Sequence, residues 1–385
     1  MKNVRPLTSE LSDAGPAVLA AMRREEPQRV QILISEVVER PGAPARLQPH
    51  GFRVDAEYFY PASSIKLCAA VAALQEAERL EREHGVTGLA DAPLEIEPLF
   101  PGDPRQTDDP DHLANGRITL AHEVRKLALV SDNQAFNRLY DLVGHEQLNR
   151  AMHALGLPST VINHRLSDPR SVPDQKASAA IAFHLKDGRT LPVPARRSPL
   201  ALTNVATRRL IGDGHLHGDK LVREPMDFTG RNGISLVDLQ NLLVKVVRPD
   251  IAVPGPHLEL SEKHRLLLLD AMTIHPRESS DPRYPAAEYP DDFCKFLLPG
   301  VRRVFPETAP GQRIEIAGKI GRAYGFSVEN SCLRNPANGR TVFVTAVIYT
   351  NDDGVLNDDR YEYGTVADPF FADLGAWVAR RWLAR

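Results

Sequence analysis

Along the chain, hydrophobic positions recur with a strand-like period at both ends and a helix-like one in the middle. Val30 to Val38 (V-Q-I-L-I-S-E-V-V) is β-branched with partial alternation, and Phe52 to Phe59 (F-R-V-D-A-E-Y-F) alternates more cleanly. The pattern predicts an N-terminal hairpin, with the Pro/Gly/Ala stretch between as its turn. Before it, Ser12 and Asp13 followed by Pro16 open a helix that ends near Arg24. From Ser63 to Glu83 the only charge before Glu76 is Lys66, and the run is too long and alanine-rich for a strand, so it reads as a buried helix carrying one lysine.

Residues 84–117 mix Pro, Gly and Asp without period and read as a surface loop. Short helices follow at Thr119–Val130, Gln134–Val143 and His145–Leu155. Residues 156–233 are the most irregular stretch, and helices resume at Ser235–Val247 and Glu262–Met272. The C-terminal part turns to strands, Arg313–Lys319, Ala323–Leu333 and Thr341–Thr350. Phe370, Leu374, Trp377, Val378 and Trp382 then make one face of a closing helix.

Strands at both ends with helices between predict an α/β chain of the α+β kind. One antiparallel sheet is built from N- and C-terminal strands and flanked by helices, and beside it stands an all-helical subdomain. Residues 1–385 then form one domain, with 1–62 and 226–385 as the sheet part and 63–225 as the helical part with its long loop.

Composition narrows the function classes. A chain of 385 residues with 42% hydrophobic content buries a sizeable core without staples. Lys+Arg 47 against Asp+Glu 50, a net charge of -3, gives no overall basic field for nucleic acid. The longest apolar run, Leu67 to Leu74, is far too short to cross a bilayer. Cys68, Cys294 and Cys332 stand far apart, which writes neither a disulfide framework nor a thiolate zinc site. Glu10 and Asp13 fall where a secretory signal needs an apolar core, so no export sequence is visible.

Three short motifs carry chemistry. In Y-P-A-S-S-I-K-L, Ser63 and Lys66 are three apart at the start of a helix and share a face. A serine there sits in the favourable field of the helix dipole, and a desolvated lysine can take its proton. The plainer reading is a helix cap and a snorkelling lysine. In V-S-D-N-Q-A-F-N, Ser131, Asp132 and Asn133 occupy a break between helices. They are ordinary caps, or else Ser131 relays a proton to a leaving nitrogen and Asn133 offers its amide to a substrate carbonyl. In I-A-G-K-I-G-R-A-Y-G-F, glycines flank Lys319 on a strand, which marks either a close approach by a ligand or an edge lysine beside a bulge.

Taken in order, S-x-x-K, S-D-N and K-x-G on a C-terminal strand resemble the signature set of class A β-lactamases and penicillin-binding proteins, and the order of elements extends the resemblance over nearly the whole chain. The resemblance implies a β-lactamase/transpeptidase-like fold and a serine hydrolase acting through an acyl-enzyme. In it Ser63 is the acylated nucleophile, Lys66 its base, Ser131 the relay, Asn133 a substrate contact, and Lys319 supports Ser131 and a substrate carboxylate. The backbone N–H groups of Ser63 and Arg322 form the oxyanion hole, and Gly321, Arg322 and Tyr324 meet substrate. It implies a monomer in the periplasm or outside the cell, without cofactor or metal, acting on a β-lactam, a cell-wall peptide or an ester.

Two departures stand out. Ile320 replaces the hydroxyl residue of K-T-G, and Arg322 is the candidate substitute for binding a carboxylate. The loop glutamate on which deacylation depends in class A enzymes has no counterpart, because no glutamate lies between Glu146 and Glu224. I-N-H-R-L-S-D-P-R-S offers Asp168 before Pro169, one methylene shorter, with His164 as a second base. Residues 170–225 and 276–312 look like insertions. A D-Ala-D-Ala-type peptidase, an esterase or amidase, and a penicillin-binding sensor that stalls after acylation remain open. So does a metallo-hydrolase, since His215, His217 and Asp219 in G-H-L-H-G-D are similar to a zinc segment.

Overall fold

The structure, a computed structural model, describes residues 4–110, 113, 115–307 and 313–384. The chain forms two compact units. The sheet unit comprises residues 1–65, 203–254 and 295–385, and the helical unit 66–202 and 255–294. Residues 255–294, expected in the sheet part, therefore group with the helices, because the helix Glu262–Thr273 anchors them there. Ser261 N-caps that helix and also binds Glu78 of the helix Lys66–His84. Conversely, 203–225 belong to the sheet unit.

The sheet unit is built on strands β1 (Arg5–Pro6), β2 (Gln31–Arg40), β3 (Ala43–Phe52), β4 (Glu315–Gly318), β5 (Gly321–Ala323), β6 (Phe326–Arg334) and β7 (Thr341–Tyr349). Their order is β1-β3-β2-β7-β6-β4, with β5 also paired to β6, so N- and C-terminal strands do share one sheet. Every pairing is antiparallel except β1 with β3. The run Q-I-L-I-S in β2 lacks clean alternation because both of its faces are buried. Ile32 and Ile34 join a core with Val18, Val301, Phe370, Leu374, Trp377, Val378 and Trp382, the last five being the predicted face of the closing helix. On the other face Gln240, from the helix Leu236–Val247, accepts from Ser35 Oγ (2.6 Å) and donates to Leu33 O (3.1 Å) and Thr345 Oγ1 (3.0 Å). On the edge strand β4, the Ile316 carbonyl accepts a hydrogen bond from buried Lys295 (2.7 Å).

The hairpin partner of β2 is Ala43–Phe52, not the expected Phe52–Phe59. Pro41 and Gly42 make the turn, and Arg53 and Asp55 take left-handed backbone angles (φ 50° and 54°) that end the strand where the alternation begins. Pro44 and Pro49 made β3 look like a turn. Only its end is covered, by β1 at His50 and Gly51, so most of it is edge, where proline is tolerated.

The helical unit contains Lys66–His84, Leu120–Leu129, Asn133–Val143, His145–Ala154 and Glu262–Thr273, near the predicted bounds. Thr119, Asp132 and Ser261 cap three of them, each accepting from the backbone N–H three residues on. The unit also carries strands inside the stretches read as a surface loop (84–117) and as irregular (156–233). Leu94–Ile96, Ile181–His184 and Thr190–Val193 form a three-stranded sheet, the last two joined by a turn at Lys186–Asp187, and Ala177–Ser178 pairs with Arg196–Arg197. Of the expected insertions, 276–294 lie in this unit and 295–307 in the sheet unit, while 308–312 lie outside the described residues. Among the described residues no helix is long and apolar enough to cross a membrane.

Candidate active site

In the sheet unit, Ser63 lies in a short 3-10 turn, Ala62–Ile65, entered through Ala62 in a left-handed conformation (φ 48°). Such a backbone costs an ordinary residue about 1–2 kcal/mol, so the surroundings must hold it. Ser64 does part of this, donating from both N (3.0 Å) and Oγ (2.7 Å) to the Pro61 carbonyl. Strand β5 does the rest. A Cβ on Gly321 would collide with the Pro61 carbonyl and lie 2.7 Å from Ser64 N and 2.9 Å from Ser63 N. The glycine of K-x-G is therefore required by contact between two backbones.

The same strand leads into the hairpin beyond Arg322. In the two-residue hairpin Tyr324–Gly325, Ala323 pairs with Phe326 and Gly321 with Val328. Alternation in an antiparallel ladder then turns the N–H of Arg322 away from β6. The other glycine, Gly318, presses on β6, where a Cβ would meet Ser331 Oγ and Asn330 O. Between them Lys319 is 1% exposed and its Nζ donates to Ile320 O at 2.9 Å, with Ile320 itself buried.

The side chain of Arg322, the candidate substitute for the hydroxyl of K-T-G, has partners of its own. It pairs with Asp368, donates to Ser327 Oγ (3.1 Å), and stacks on Phe296 (4.4 Å) and Tyr363 (4.8 Å). Asp368 opens the closing helix, where the dipole favours a carboxylate, and it draws the guanidinium to itself. Tyr324, also left-handed (φ 53°), meets Tyr60 and Phe228 edge-on at 5.1 and 5.5 Å. These rings flank the segment leading to Ser63. Neither Tyr60 nor Phe228 was singled out from sequence, since aromatic residues far apart in the chain give no local signal.

In the helical unit, Lys66 opens its helix fully buried, and its Nζ donates to Ser131 O, to Ser131 Oγ (3.3 Å) and to Asn133 Oδ1 (2.7 Å). The structure thus brings Lys66, Ser131 and Asn133 together. Ser131 O and Asn133 Oδ1 can only accept, so they occupy two amine N–H groups in either protonation state. Ser131 Oγ, by contrast, can either accept or donate. Asp132 is the plain cap, its Oδ1 accepting from Ala135 N (2.8 Å), and Ser131 is left-handed (φ 59°).

A charged cluster stands behind this turn. Asp132 N donates to Lys126 O, and buried Lys126 and Arg138 surround Glu123 and Asp109, with Arg138 at 2.8 Å from Asp109 and 3.1 Å from Glu123. Burial raises the pKa of Glu123, while Asp109, also partly desolvated, is held below the usual carboxylate range by Arg138 and Lys126.

The loop holding Asp168 departs from expectation. The Asp168 carboxylate pairs with Arg170, accepts from Arg170 N (2.9 Å), and takes a bond from Gln175 Nε2 (3.2 Å). Arg170 in turn reaches Asp103 (2.8 Å). The loop residue that meets Asn133 is Ser167, whose Oγ accepts from Asn133 Nδ2 at 2.8 Å. Sequence reasoning missed it because Asp-Pro drew attention one residue too far. His164 Nδ1 lies 2.6 Å from Arg165 O. His215, His217 and Asp219 sit on a hairpin, with His215 Nδ1 against Glu224 O (3.0 Å). Among the described residues their ligand atoms do not gather into a metal-sized group, which removes the zinc reading.

The chain is similar to known proteins. Residues 50–190 match the model of a family described as the Beta-lactamase enzyme family. No curated protein matches the chain by sequence. Similar solved structures include a β-lactamase from Xanthomonas campestris pv. campestris, 15% identical, covering 97% of this chain and 98% of that one, with a TM-score of 0.52. A β-lactamase from Burkholderia vietnamiensis is 15% identical over 97% and 96%, TM-score 0.51. PBP-A is 18% identical over 99% and 98%, TM-score 0.50. The chain has the β-lactamase-like fold, and its segment 50–190 carries the match to the β-lactamase enzyme family.

Proposed function

We propose that the chain is a serine hydrolase of the class A β-lactamase kind, cleaving a β-lactam or related amide through an acyl-enzyme. The observation that carries the reading is the buried Lys66 amine held on Ser131 and Asn133, the side chains of the S-D-N motif. In the proposed reaction Ser63 Oγ attacks the carbonyl carbon and its proton passes to Lys66. The oxyanion is stabilised by the N–H groups of Ser63 and Arg322, the largest single contribution in such sites. The C–N bond then breaks, Ser131 delivers the proton to the leaving nitrogen, and water releases the acyl group from Ser63. Lys319 binds the substrate's anionic end, and Asn133, Gly321 and Tyr324 line its path.

A second reading has its own support. Asp168, the candidate base for the deacylating water, is committed to Arg170 and Gln175. A protein that acylates readily and turns over slowly, whether a sensor, a peptidase or an esterase with another acyl acceptor, fits that arrangement. Labelling with fluorescent penicillin or a fluorophosphonate tests the common core. Ser63→Ala abolishes labelling while the protein stays folded, and undiminished labelling of the variant overturns the assignment. Nitrocefin turnover beside p-nitrophenyl ester turnover separates the two readings.

A further inference from the structure

Three residues spaced four apart on one face of the helix Asn133–Val143 meet three consecutive loop residues in reverse order. Asn133 Nδ2 donates to Ser167 Oγ (2.8 Å). Asn137 accepts from Leu166 N (3.0 Å) and donates to Leu166 O (3.1 Å). Asp141 accepts from buried Arg165 (2.5 Å), whose guanidinium also donates to Ala177 O (2.8 Å). On the far side Asp168 is tied to Arg170 and Gln175. Ser167 is thus clamped between fixed neighbours, and it takes a left-handed backbone (φ 52°) that glycine or asparagine would adopt more cheaply.

We propose that Ser167 is a positioning residue that fixes the orientation of the Asn133 carboxamide, and that it, not Asp168, is the residue this loop presents to the Lys66 group. The torsion of an asparagine amide is broad and two-fold, so its two ends exchange readily unless partners distinguish them. Here Oδ1 faces the Lys66 amine at 2.7 Å. Exchange would set the Nδ2 donor against a Lys66 amine already donating to Ser131 and would forfeit the bond to Oδ1. With Oδ1 taken by the Lys66 amine, the Ser167 hydroxyl, which could bond either end, accepts from Nδ2 and anchors the far end of the amide against rotation. The kinetic consequence, though not the geometric one, rests on the acyl-transfer reading proposed above.

The test uses the full chain with Ser167→Gly, Ser167→Asn and Asp168→Asn. Glycine relieves the strained backbone but removes the acceptor, whereas asparagine keeps an oxygen and tolerates the same backbone. The Asn133 side-chain amide resonance is identified by its loss in Asn133→Ala. In Ser167→Gly it shifts and exchanges hydrogen about tenfold faster. Ser167→Asn restores most of the protection, and Asp168→Asn leaves the resonance unmoved. Acylation by fluorescent penicillin slows about tenfold in Ser167→Gly, with the half-saturating concentration little changed, because misplacing one group costs rate more than binding. An unchanged resonance in Ser167→Gly, or an equal change in Asp168→Asn, overturns the proposal. If the unaltered chain takes no acyl label, the hydrolase reading fails and the resonance alone decides the role of Ser167.

Discussion

The turn that carries Ser63 and the loop that carries Ser167 both bend through a left-handed residue other than glycine, Ala62 in one and Ser167 in the other, but they are held by different means. The turn is held by backbone against backbone, with Gly321 pressed on Pro61, Ser63 and Ser64. The loop is held by side chains, Asn137 on Leu166, Asp141 on Arg165, and Arg170 with Gln175 on Asp168. Backbone contact leaves no room for even one added atom. A lattice of polar side chains can change member by member.

The largest expected effect comes from the loop. Arg165→Ala strands the Asp141 carboxylate among buried groups and costs about 4 kcal/mol in urea unfolding, since breaking one half of a buried pair leaves an uncompensated charge. The sheet unit tests the comparison from the side of charge. Burial raises the Glu329 carboxyl from 4.5 to about 7, offset in part by Ser331, by Leu297 N and by Lys295. Below pH 4.5 the carboxyl is protonated in both folded and unfolded chains and costs nothing. Between 4.5 and about 7 the unfolded chain ionises first, so stability falls by about 3 kcal/mol in all and stays lower above that range. Unfolding of Glu329→Gln measured from pH 4 to 8 should lack this decline, and an identical profile for both proteins would refute it.

Gly321→Ala comes next. It costs about 2 kcal/mol of stability, typical of an overpacked site, but it displaces the 62–65 turn, so labelling of Ser63 falls much further than stability. Labelling that survives in a folded Gly321→Ala protein would mean the backbone contact does not position the serine. The smallest effect is at Asp368→Asn. Its pair with Arg322 is half exposed, so melting shifts by no more than about 0.5 kcal/mol. The released guanidinium then improves labelling by carboxylate-bearing penicillins over neutral esters. An unchanged ratio between those probes would show that Arg322 has no bearing on substrate.

Much of this was legible in the sequence where local chemistry decides. The lysine in an apolar helix, the S-D-N break and the glycines around Lys319 each report a constraint felt within a few residues, and the structure gives each a physical cause. The buried face of the closing helix was equally plain. What the sequence did not reveal depends on partners distant in the chain. Asp168 looked free because Arg170 beside it and Gln175 seven residues on could equally have pointed outward. Arg322 looked available because Asp368 lies 46 residues away. Strand β3 was hidden by Pro44 and Pro49, whose acceptability depends on an edge position that no local pattern encodes.

One detail of the sheet bears on how the molecule behaves in a crowd of its own copies. The outermost strand, Glu315–Gly318, offers a row of backbone groups that another chain could extend, the usual beginning of amyloid-like stacking. Lys295 already sits on the Ile316 carbonyl, so a newcomer must first evict a buried ammonium to gain a single bond. The lysine thereby acts as a stopper against intermolecular zippering, a service unrelated to any chemistry on Ser63.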